Sequence, residues 1–328
     1  MRTNLIVLSL TVSAMCGCQS TRVRPTVPAS PQPHAVALDE GLSAAAKTML
    51  ADALVSPDTE VRVHAIEAIR LTDPQEHNAD ILRALRDPQP QVRFAGALAS
   101  GDLRLQEARP ILLQMADDSS ENVRVAVRYA LHRLGDTHLS HDLEVMARST
   151  NPMVRGNTAM VLGMLGEPSA LRILRVMRLD ANPAVRQQAS EAMWKLHDQT
   201  GLEDLIALSL SSHPDDQMLG LIGLAEPRDV RVRQHVRNGL TADYPEVTLV
   251  AARAMGMLGS DEGYGLALRG INSTDQRQRQ LAAFAIGAIG RPDAQTPLRK
   301  LMADPAPDVR LAAATALLQL KPTAVAQR

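Results

Sequence analysis

The chain repeats itself every 31 residues over most of its length, without an insertion in any copy. A column of Val marks the repeat and is filled by Val in seven of nine copies. A fixed period of this length predicts a stack of similar units, each of which buries its apolar face against its neighbours. We number the units one to nine by this column, which lies at positions 61, 92, 123, 154, 185, 216, 247, 278 and 309.

Each unit is predicted to contain two helices. Apolar residues lie eleven positions before the column, as at Leu50 and Leu112, with further apolar residues three or four positions later. This is helical spacing, and it predicts the first helix. The second helix is predicted to begin at a Pro two positions before the column, preceded in some units by a capping Asn such as Asn151 or Asn182. It is predicted to end near a glycine in four units, at Gly135, Gly166, Gly259 and Gly290.

Two segments carry the clearest motifs, Asn-Pro-Ala-Val-Arg-Gln-Gln-Ala at 182–189 and Asp-Pro-Ala-Pro-Asp-Val-Arg-Leu-Ala-Ala at 304–313. They resemble HEAT repeats, and the short period is similar to that of the HEAT repeats of phycobilisome lyases. The resemblance implies an all-α fold, a right-handed α-solenoid of about nine HEAT-like helix pairs over residues 41–321. Nine pairs at the usual helix packing distance predict a rod or arc of about 85 Å with one concave face.

The N-terminus has the pattern of an export signal. Arg2 precedes an apolar run that is too short to span a bilayer and ends in small residues, which predicts a signal peptide at 1–18. The segment Met15-Cys16-Gly17-Cys18 resembles a bacterial lipobox and implies lipidation (palmitate or a similar fatty acid) at Cys18, with ordinary secretion as the alternative. The resemblance to lipoproteins further implies an outer-membrane anchor with the protein facing the periplasm.

Residues 19–40 are rich in proline, which predicts an extended tether between the anchor and the repeats. Residues 322–328 are predicted to be a C-terminal tail. The net charge of −1 provides no positive field for nucleic acid, so nucleic-acid binding is not expected. Both cysteines, Cys16 and Cys18, lie in the export signal, so neither disulfides nor thiolate metal sites are expected in the repeats.

An Arg column follows the Val column directly. Arg fills this column in seven units, and an acidic polymer is one ligand that seven regularly spaced guanidinium groups can bind. The alternative, which we favour, is a structural ladder in which each Arg binds an Asp or loop carbonyl groups, since Asp87, Asp118, Asp180 and Asp304 lie five residues before the Val column. The ladder residues are Arg62, Arg93, Arg124, Arg155, Arg186, Arg279 and Arg310.

The second helices are predicted to line the concave face. Residues two, three, six and ten positions after the Val column point away from the packed side of each second helix, and many of them are apolar. We therefore predict an adhesive, methionine-containing groove for a partner; the alternative is that tight curvature buries these side chains. The groove residues are Phe94, Val125, Tyr129, Arg133, Met160, Met164, Glu191, Lys195, Met218, Arg253, Met257 and Phe284.

The sixth unit departs from the pattern. Asp216 and Gln217 replace Val and Arg, and Gly220 and Gly223 lower helix propensity, which predicts a weak joint.

The function predicted from the sequence is a non-catalytic protein-interaction scaffold or adaptor in the cell envelope. No catalytic residues, metal site or cofactor site are predicted, because no nucleophile or phosphate-binding motif is present and no His is followed by Glu, as the resemblance to HEAT-type iron hydroxylases would require. The alternative is an accessory, lyase-like or chaperone-like component of a cofactor or enzyme complex. The identity of the protein partner does not follow from the sequence.

Overall fold

The structure is a computed structural model that describes residues 38–72, 76–138 and 141–320. Within these ranges it is all-α, with eighteen helices in nine pairs. The first helices of the pairs are α1 Glu40–Ala53, α3 Asn78–Ala84, α5 Arg109–Gln114, α7 Asp142–Met146, α9 Leu171–Met177, α11 Gln199–Ser209, α13 Arg233–Asn238, α15 Tyr264–Gly270 and α17 Gln295–Leu301. The second helices are α2 Thr59–Thr72, α4 Pro90–Asp102, α6 Glu121–Arg133, α8 Pro152–Leu165, α10 Pro183–Lys195, α12 Pro214–Ala225, α14 Pro245–Met257, α16 Gln276–Ile289 and α18 Pro307–Gln319.

The predicted start and stop signals are confirmed. Proline is the first residue of six second helices, and the side chain of Asn151 accepts a hydrogen bond from the Met153 backbone N–H at 2.9 Å. Gly166 and Gly290 end their helices in the left-handed conformation, with φ of 75° and 65°. Because glycine has no Cβ, it adopts this conformation at little cost, so the helices end where the sequence predicts.

The first and last units contact each other. Helix α18 packs against both α1 and α2, in addition to α16 and α17. Leu38, Leu42 and Met49 lie against the apolar cluster that contains Leu317. The Asp39 backbone N–H donates to Gln295 Oε1 at 2.9 Å, and Arg299 binds the Asp39 carboxylate at 3.1 Å. We call this contact between units nine and one the seam.

The array is therefore a closed ring rather than the open rod or arc expected from the sequence. Each second helix contacts the second helices on either side of it, and the seam completes the circuit. The first helices form an outer layer and the second helices an inner layer. The expectation of two free ends was wrong because it used only the packing distance between units and not the angle through which each unit turns.

The joint between units five and six is built differently from the others. Helices α10 and α12 make few direct contacts, and α11 packs closely against both. The indole Nε1 of Trp194 on α10 donates to the Leu224 carbonyl on α12 at 3.1 Å, which fills the remaining gap. A Cβ on Gly220 would lie 2.4 Å from the Ser209 backbone nitrogen, so this glycine permits the approach of α11. Gly220 is therefore required by the packing of this joint, and the weak joint expected in unit six stays a prediction.

Candidate functional site

The arginines of the Arg column bind carboxylate and carbonyl groups within the fold. Four of its arginines donate through two guanidinium nitrogens to the carboxylate of the aspartate 25 residues later, at 2.7–3.0 Å. Each such pair links one unit to the next, and bidentate pairs of this kind are the geometrically specific ones. The pairs are Arg62 with Asp87, Arg93 with Asp118, Arg155 with Asp180 and Arg279 with Asp304.

The other three arginines of the column lack this partner because serine replaces the aspartate of the following unit. These serines are Ser149 and Ser211, and across the seam Ser56. Arg124, Arg186 and Arg310 donate instead to carbonyl oxygens in the turn before their own helices, at 2.7–2.9 Å for the shortest bond of each. The column guanidinium groups are thus used inside the fold, which favours the structural interpretation over an anion-binding row.

We expect Asp180→Asn to lower the free energy of unfolding by about 1 kcal/mol at neutral pH. The hydrogen bond from Arg155 holds the pKa of Asp180 below its ordinary value of 3.8. The contribution of this pair is therefore present above that pH and is lost as the pH falls through the folded-state pKa. Urea unfolding measured between about pH 5 and pH 3 should show a shallower loss of stability in Asp180→Asn than in the unmodified protein.

Asp215→Asn is the matched control for this prediction, because Asp215 pairs with Arg277 on the exposed surface. It should leave both the neutral-pH stability and its pH dependence unchanged. An equal effect of the two substitutions would show that the Asp180 pair contributes no more than an ordinary surface ion pair.

The predicted groove residues face the axis of the ring. A Cβ on Gly101, nine positions after the Val column, would lie 2.9 Å from the Cα of Ala130 on the next second helix. Gly220, four positions after the column, faces the outer helix α11. Positions six and ten lie on the remaining side of the helix, so they point towards the axis.

These axis-facing side chains are not an exposed groove. Tyr129 is 1% exposed, Arg253 4% and Glu191 6%, and Val125, Met160 and Met218 are also buried. Adjacent second helices cover them, since a Cβ on Gly101 would lie 2.8 Å from the Tyr129 ring and one on Gly223 would lie 3.1 Å from Glu191 Cγ. The predicted exposed groove is thus replaced by a packed interior. The half-buried members of the predicted set are Phe94, Arg133, Met164, Lys195, Met257 and Phe284.

One polar cluster in this interior is centred on Asp102. Its carboxylate accepts a hydrogen bond from the Tyr129 hydroxyl and another from Arg70 Nη1, the latter at 2.7 Å. Burial raises the pKa of Tyr129, and the neighbouring Asp102 charge raises it further. The tyrosine is therefore a neutral hydrogen-bond donor, which suits a structural role and not that of a nucleophile or base.

A second polar cluster extends over units five to eight. Lys195 Nζ lies 3.5 Å from Glu226 Oε2, and Gln187 donates to Glu191 Oε1 at 2.9 Å. The guanidinium of Arg253 stacks over the Phe284 ring, 5.0 Å from its centroid. Burial lowers the pKa of Arg253 to about 10, although the charge of Glu226 opposes this. At neutral pH the arginine remains charged and is held by a ring face and a nearby carboxylate.

Sequence reasoning missed Arg70, Asp102 and Glu226 as members of these clusters. The sequence did contain a signal for them. Each is a charged residue nine or ten positions after the Val column, and a residue of opposite charge lies at a similar position in a neighbouring unit. The structure brings Tyr129 and Arg133 near the first cluster and Glu191, Lys195, Arg253 and Phe284 into the second. Cys18 lies outside the described residues.

An apolar patch is exposed on the outer layer of units four to six. Its four members are 63–75% exposed, far more than an aliphatic side chain in a packed helix. Val145 and Val176 occupy the same position in consecutive units, and so do Leu179 and Leu210. Exposed aliphatic side chains in neighbouring positions typically mark an interaction surface. We call Val145, Val176, Leu179 and Leu210 the outer patch.

Charged side chains of both signs border the outer patch. Glu144 accepts hydrogen bonds from both Arg148 and Arg172, at 3.1 and 3.2 Å, so one carboxylate serves two guanidinium groups. Arg175 binds Asp198 at 2.7 Å, but its side chain is largely exposed while that of Asp198 is buried. Arg178 binds Asp204 at 2.8 Å, and Glu203 on α11 is exposed, so the surface that borders the outer patch carries charges of both signs.

The described part of the chain holds neither a metal site nor a membrane-spanning helix. No group of three His, Cys, Asp or Glu residues there is arranged to hold a metal ion. None of the helices in the same residues is both long and apolar enough to cross a membrane. His138 hydrogen-bonds Asp136, Arg231 binds Asp229 and Arg237 binds Glu262.

Helix pairs stacked in register, with a ladder of side chains between units, define an α-solenoid repeat protein. A profile of HEAT repeats matches residues 48–132, 110–194, 139–225 and 266–328, which together cover more than half of the chain. The chain belongs to the HEAT repeat family. No curated protein matches its sequence at a significant level.

Several solved structures resemble this fold. The complex of CpcE and CpcF of phycocyanin lyase from Nostoc sp. PCC7120 is 17% identical, with 81% of this chain and 98% of that chain covered and a TM-score of 0.44. Human deoxyhypusine hydroxylase is 18% identical, with 86% and 97% covered and a TM-score of 0.37. Kap121p is 13% identical, with 91% and 38% covered and a TM-score of 0.38. At such low identity, the activities of these proteins say nothing about this chain.

Proposed function

We propose that this protein is a non-catalytic interaction scaffold, exported and held to the cell envelope by a lipid on Cys18, and that a protein partner binds its outer surface. The outer patch is the observation that carries the proposal. Burial of an exposed Val or Leu side chain contributes about 1.5–3 kcal/mol, so four adjacent ones provide a substantial part of a binding free energy. The sequence pattern of residues 1–40 supports the envelope location.

The binding surface in this proposal differs from the one predicted from the sequence. The axis-facing positions are filled by side chains that already have partners, such as Tyr129 with Asp102. A partner would have to displace these contacts before it could bind there, whereas the outer patch needs no rearrangement. The alternative, an accessory component of a cofactor or enzyme complex, gains no support from this interior.

Photo-crosslinking in intact cells tests the proposal. With a photoreactive residue at position 179, in place of Leu179, we expect a discrete crosslinked product in the membrane fraction. In the Cys18→Ala background, the protein should move to the soluble fraction and should no longer incorporate labelled fatty acid, because Cys18 is the expected acyl acceptor.

Val230 is the matched control position, since it is also an exposed aliphatic residue, at 60%, but lies outside the outer patch. A photoreactive residue there should give no discrete product. Identical products from positions 179 and 230 would refute a specific surface at the outer patch. Fatty acid incorporated into Cys18→Ala would refute the anchor.

A further inference from the structure

We infer that the ring is a clamp that opens at the seam by rotation about α11, and that this motion controls partner binding at the outer patch. The control of binding rests on the proposed function, whereas the motion does not. Three features of the fold lead to this inference: the placement of the seam, the interruption of the inner layer at one joint, and the position of the outer patch.

The seam and the joint between units five and six lie on opposite sides of the ring. Units one to five separate them in one direction, and units six to nine separate them in the other. A ring that opens must part at one place and bend at another, and a bend on the opposite side separates the parting ends most for a given angle. The two joints therefore lie where opening requires them.

The seam is held by contacts that part without unfolding a helix. Its polar contacts join Asp39 to Gln295 and Arg299, and the side chains of Arg299 and Asp39 are 61% and 49% exposed. Exposed ion pairs of this kind contribute little to stability. Apolar packing of α1 and α2 against α18 provides the rest. Loss of this one interface opens the ring and leaves all nine helix pairs folded.

The inner layer is interrupted at the joint between units five and six. Other neighbouring second helices pack directly against each other, whereas α10 and α12 make few contacts and α11 packs against both. Two side chains bridge the gap: the Trp194 indole donates to the Leu224 carbonyl at 3.1 Å, and Lys195 Nζ lies 3.5 Å from Glu226 Oε2. Such side-chain contacts break without a change in any helix. Units one to five can therefore rotate about α11 while every helix is preserved.

The apolar core is divided at the same joint. Met193 belongs to the buried cluster that extends over units one to five, whereas the next residue, Trp194, belongs to the cluster of units six to eight. A packed cluster resists deformation, because its side chains fill the available space. Relative motion is therefore concentrated at the boundary between the two clusters, and α11 is the pivot.

The outer patch extends across this joint. Val176 and Leu179 belong to unit five, and Leu210 follows α11 in unit six. Arg178 binds Asp204 across the joint at 2.8 Å, so the closed ring fixes unit five relative to α11 on the outer side. Rotation about α11 moves Val176 and Leu179 relative to Leu210. A partner that contacts both parts of the patch therefore binds the closed ring better than the open one, and partner binding in turn favours closure.

Two substitutions shift the clamp in opposite directions. Ala46→Glu places a carboxylate in the buried packing between α1 and α18 and so favours the open ring. Ser56→Asp favours the closed ring, because it supplies the ladder carboxylate that Arg310 lacks. In the four ladder pairs the arginine binds its own turn through Nη1 and the aspartate through Nε and Nη2. Arg310 Nη1 donates to the Asp304 carbonyl in its own turn at 2.9 Å, so the same geometry places its other nitrogens towards position 56.

Trp194 reports the motion without a partner. It is the only tryptophan of the chain, and its hydrogen-bonded indole N–H exchanges with solvent only when that bond is broken. We expect exchange of this N–H, measured by NMR in the full-length protein, to be about tenfold faster or more in Ala46→Glu and about threefold slower or more in Ser56→Asp. Ala45→Glu and Ser149→Asp are the matched controls, and the latter makes the same change between units three and four. Both controls should exchange as the unmodified protein does.

Equal exchange in all five proteins would show a rigid ring and refute the clamp. Equal slowing by Ser56→Asp and Ser149→Asp would show that exchange follows overall stability, which would refute it as well. If circular dichroism shows that Ala46→Glu does not fold, the comparison of the two serine substitutions decides alone.

Crosslinking in cells tests the control of binding. With the photoreactive residue at position 179, Ala46→Glu should lower the yield of the crosslinked product about threefold or more, and Ala45→Glu should not lower it. An unchanged yield beside the expected exchange rates would refute the control of binding and leave the clamp. The absence of any product in the unmodified background would refute the proposed function, while indole exchange would still decide whether the ring opens.

Discussion

Tyr129→Ala is expected to lower the free energy of unfolding by about 3–5 kcal/mol, the usual effect of removing a large buried aromatic side chain. Tyr129 is among the largest fully buried side chains of the described residues, and the cavity left by its ring would face the interior of the ring-shaped array. The substitution also removes a hydrogen bond to Asp102, whose carboxylate lies in the same interior. Urea unfolding followed by circular dichroism measures the loss.

Tyr129→Phe separates the two contributions. It keeps the aromatic ring and removes only the hydroxyl group, so we expect a smaller loss of about 1–2 kcal/mol. If Tyr129→Ala instead kept the stability of the unmodified protein and lost partner binding, the side chain would be part of an accessible groove. That result would contradict the packed interior described above.

Ala46→Glu is expected to open the ring at the seam. Ala46 is fully buried on α1, in the cluster that joins α1 to α18. A carboxylate has no room or partner there, and its burial would cost about 3 kcal/mol or more. Because only one of the nine interfaces is lost, we expect the helices to persist and the radius of gyration from small-angle X-ray scattering to increase.

The adjacent Ala45 provides the control for this prediction. It is exposed on the same helix, so Ala45→Glu changes charge and helix propensity equally without entering the seam. We expect its radius of gyration to match that of the unmodified protein. An unchanged radius in both variants, with unchanged helix content, would show that the seam does not hold the ring closed in solution.

The repeat architecture was predictable because its signals are local. The Val column, the proline at the start of six second helices and the glycine after four of them act within one unit, and the structure places helices where they predict. Ring closure was not predictable, since the turn angle per unit depends on how closely adjacent second helices approach. A Cβ on Gly163 would lie 2.7 Å from Ala192, and one on Gly287 would lie 2.6 Å from Ala316. Such contacts set the curvature, and the repeat pattern alone does not reveal them.

The candidate site was predicted only in part. Helical periodicity correctly grouped Tyr129, Glu191 and Arg253 on one side of the second helices, but the same periodicity describes an exposed groove and a buried interior equally well. The distinction depends on how closely the adjacent second helices approach, as at Gly101 beside Tyr129. The outer patch was missed because its members are scattered over the first helices and the turns that follow them, and only a comparison across units shows that Val145 and Val176 are equivalent.

A ring also changes how such an array responds to stress. In an open solenoid the two terminal units each have a single neighbour, so unfolding starts at the ends unless those units are specially capped. In this protein every unit is flanked on both sides, and opening any unit must disrupt two interfaces at once. The array therefore has no fraying point, and in space it has neither a beginning nor an end. A circularly permuted chain whose new ends lie in a turn between two units would therefore keep two neighbours for every unit.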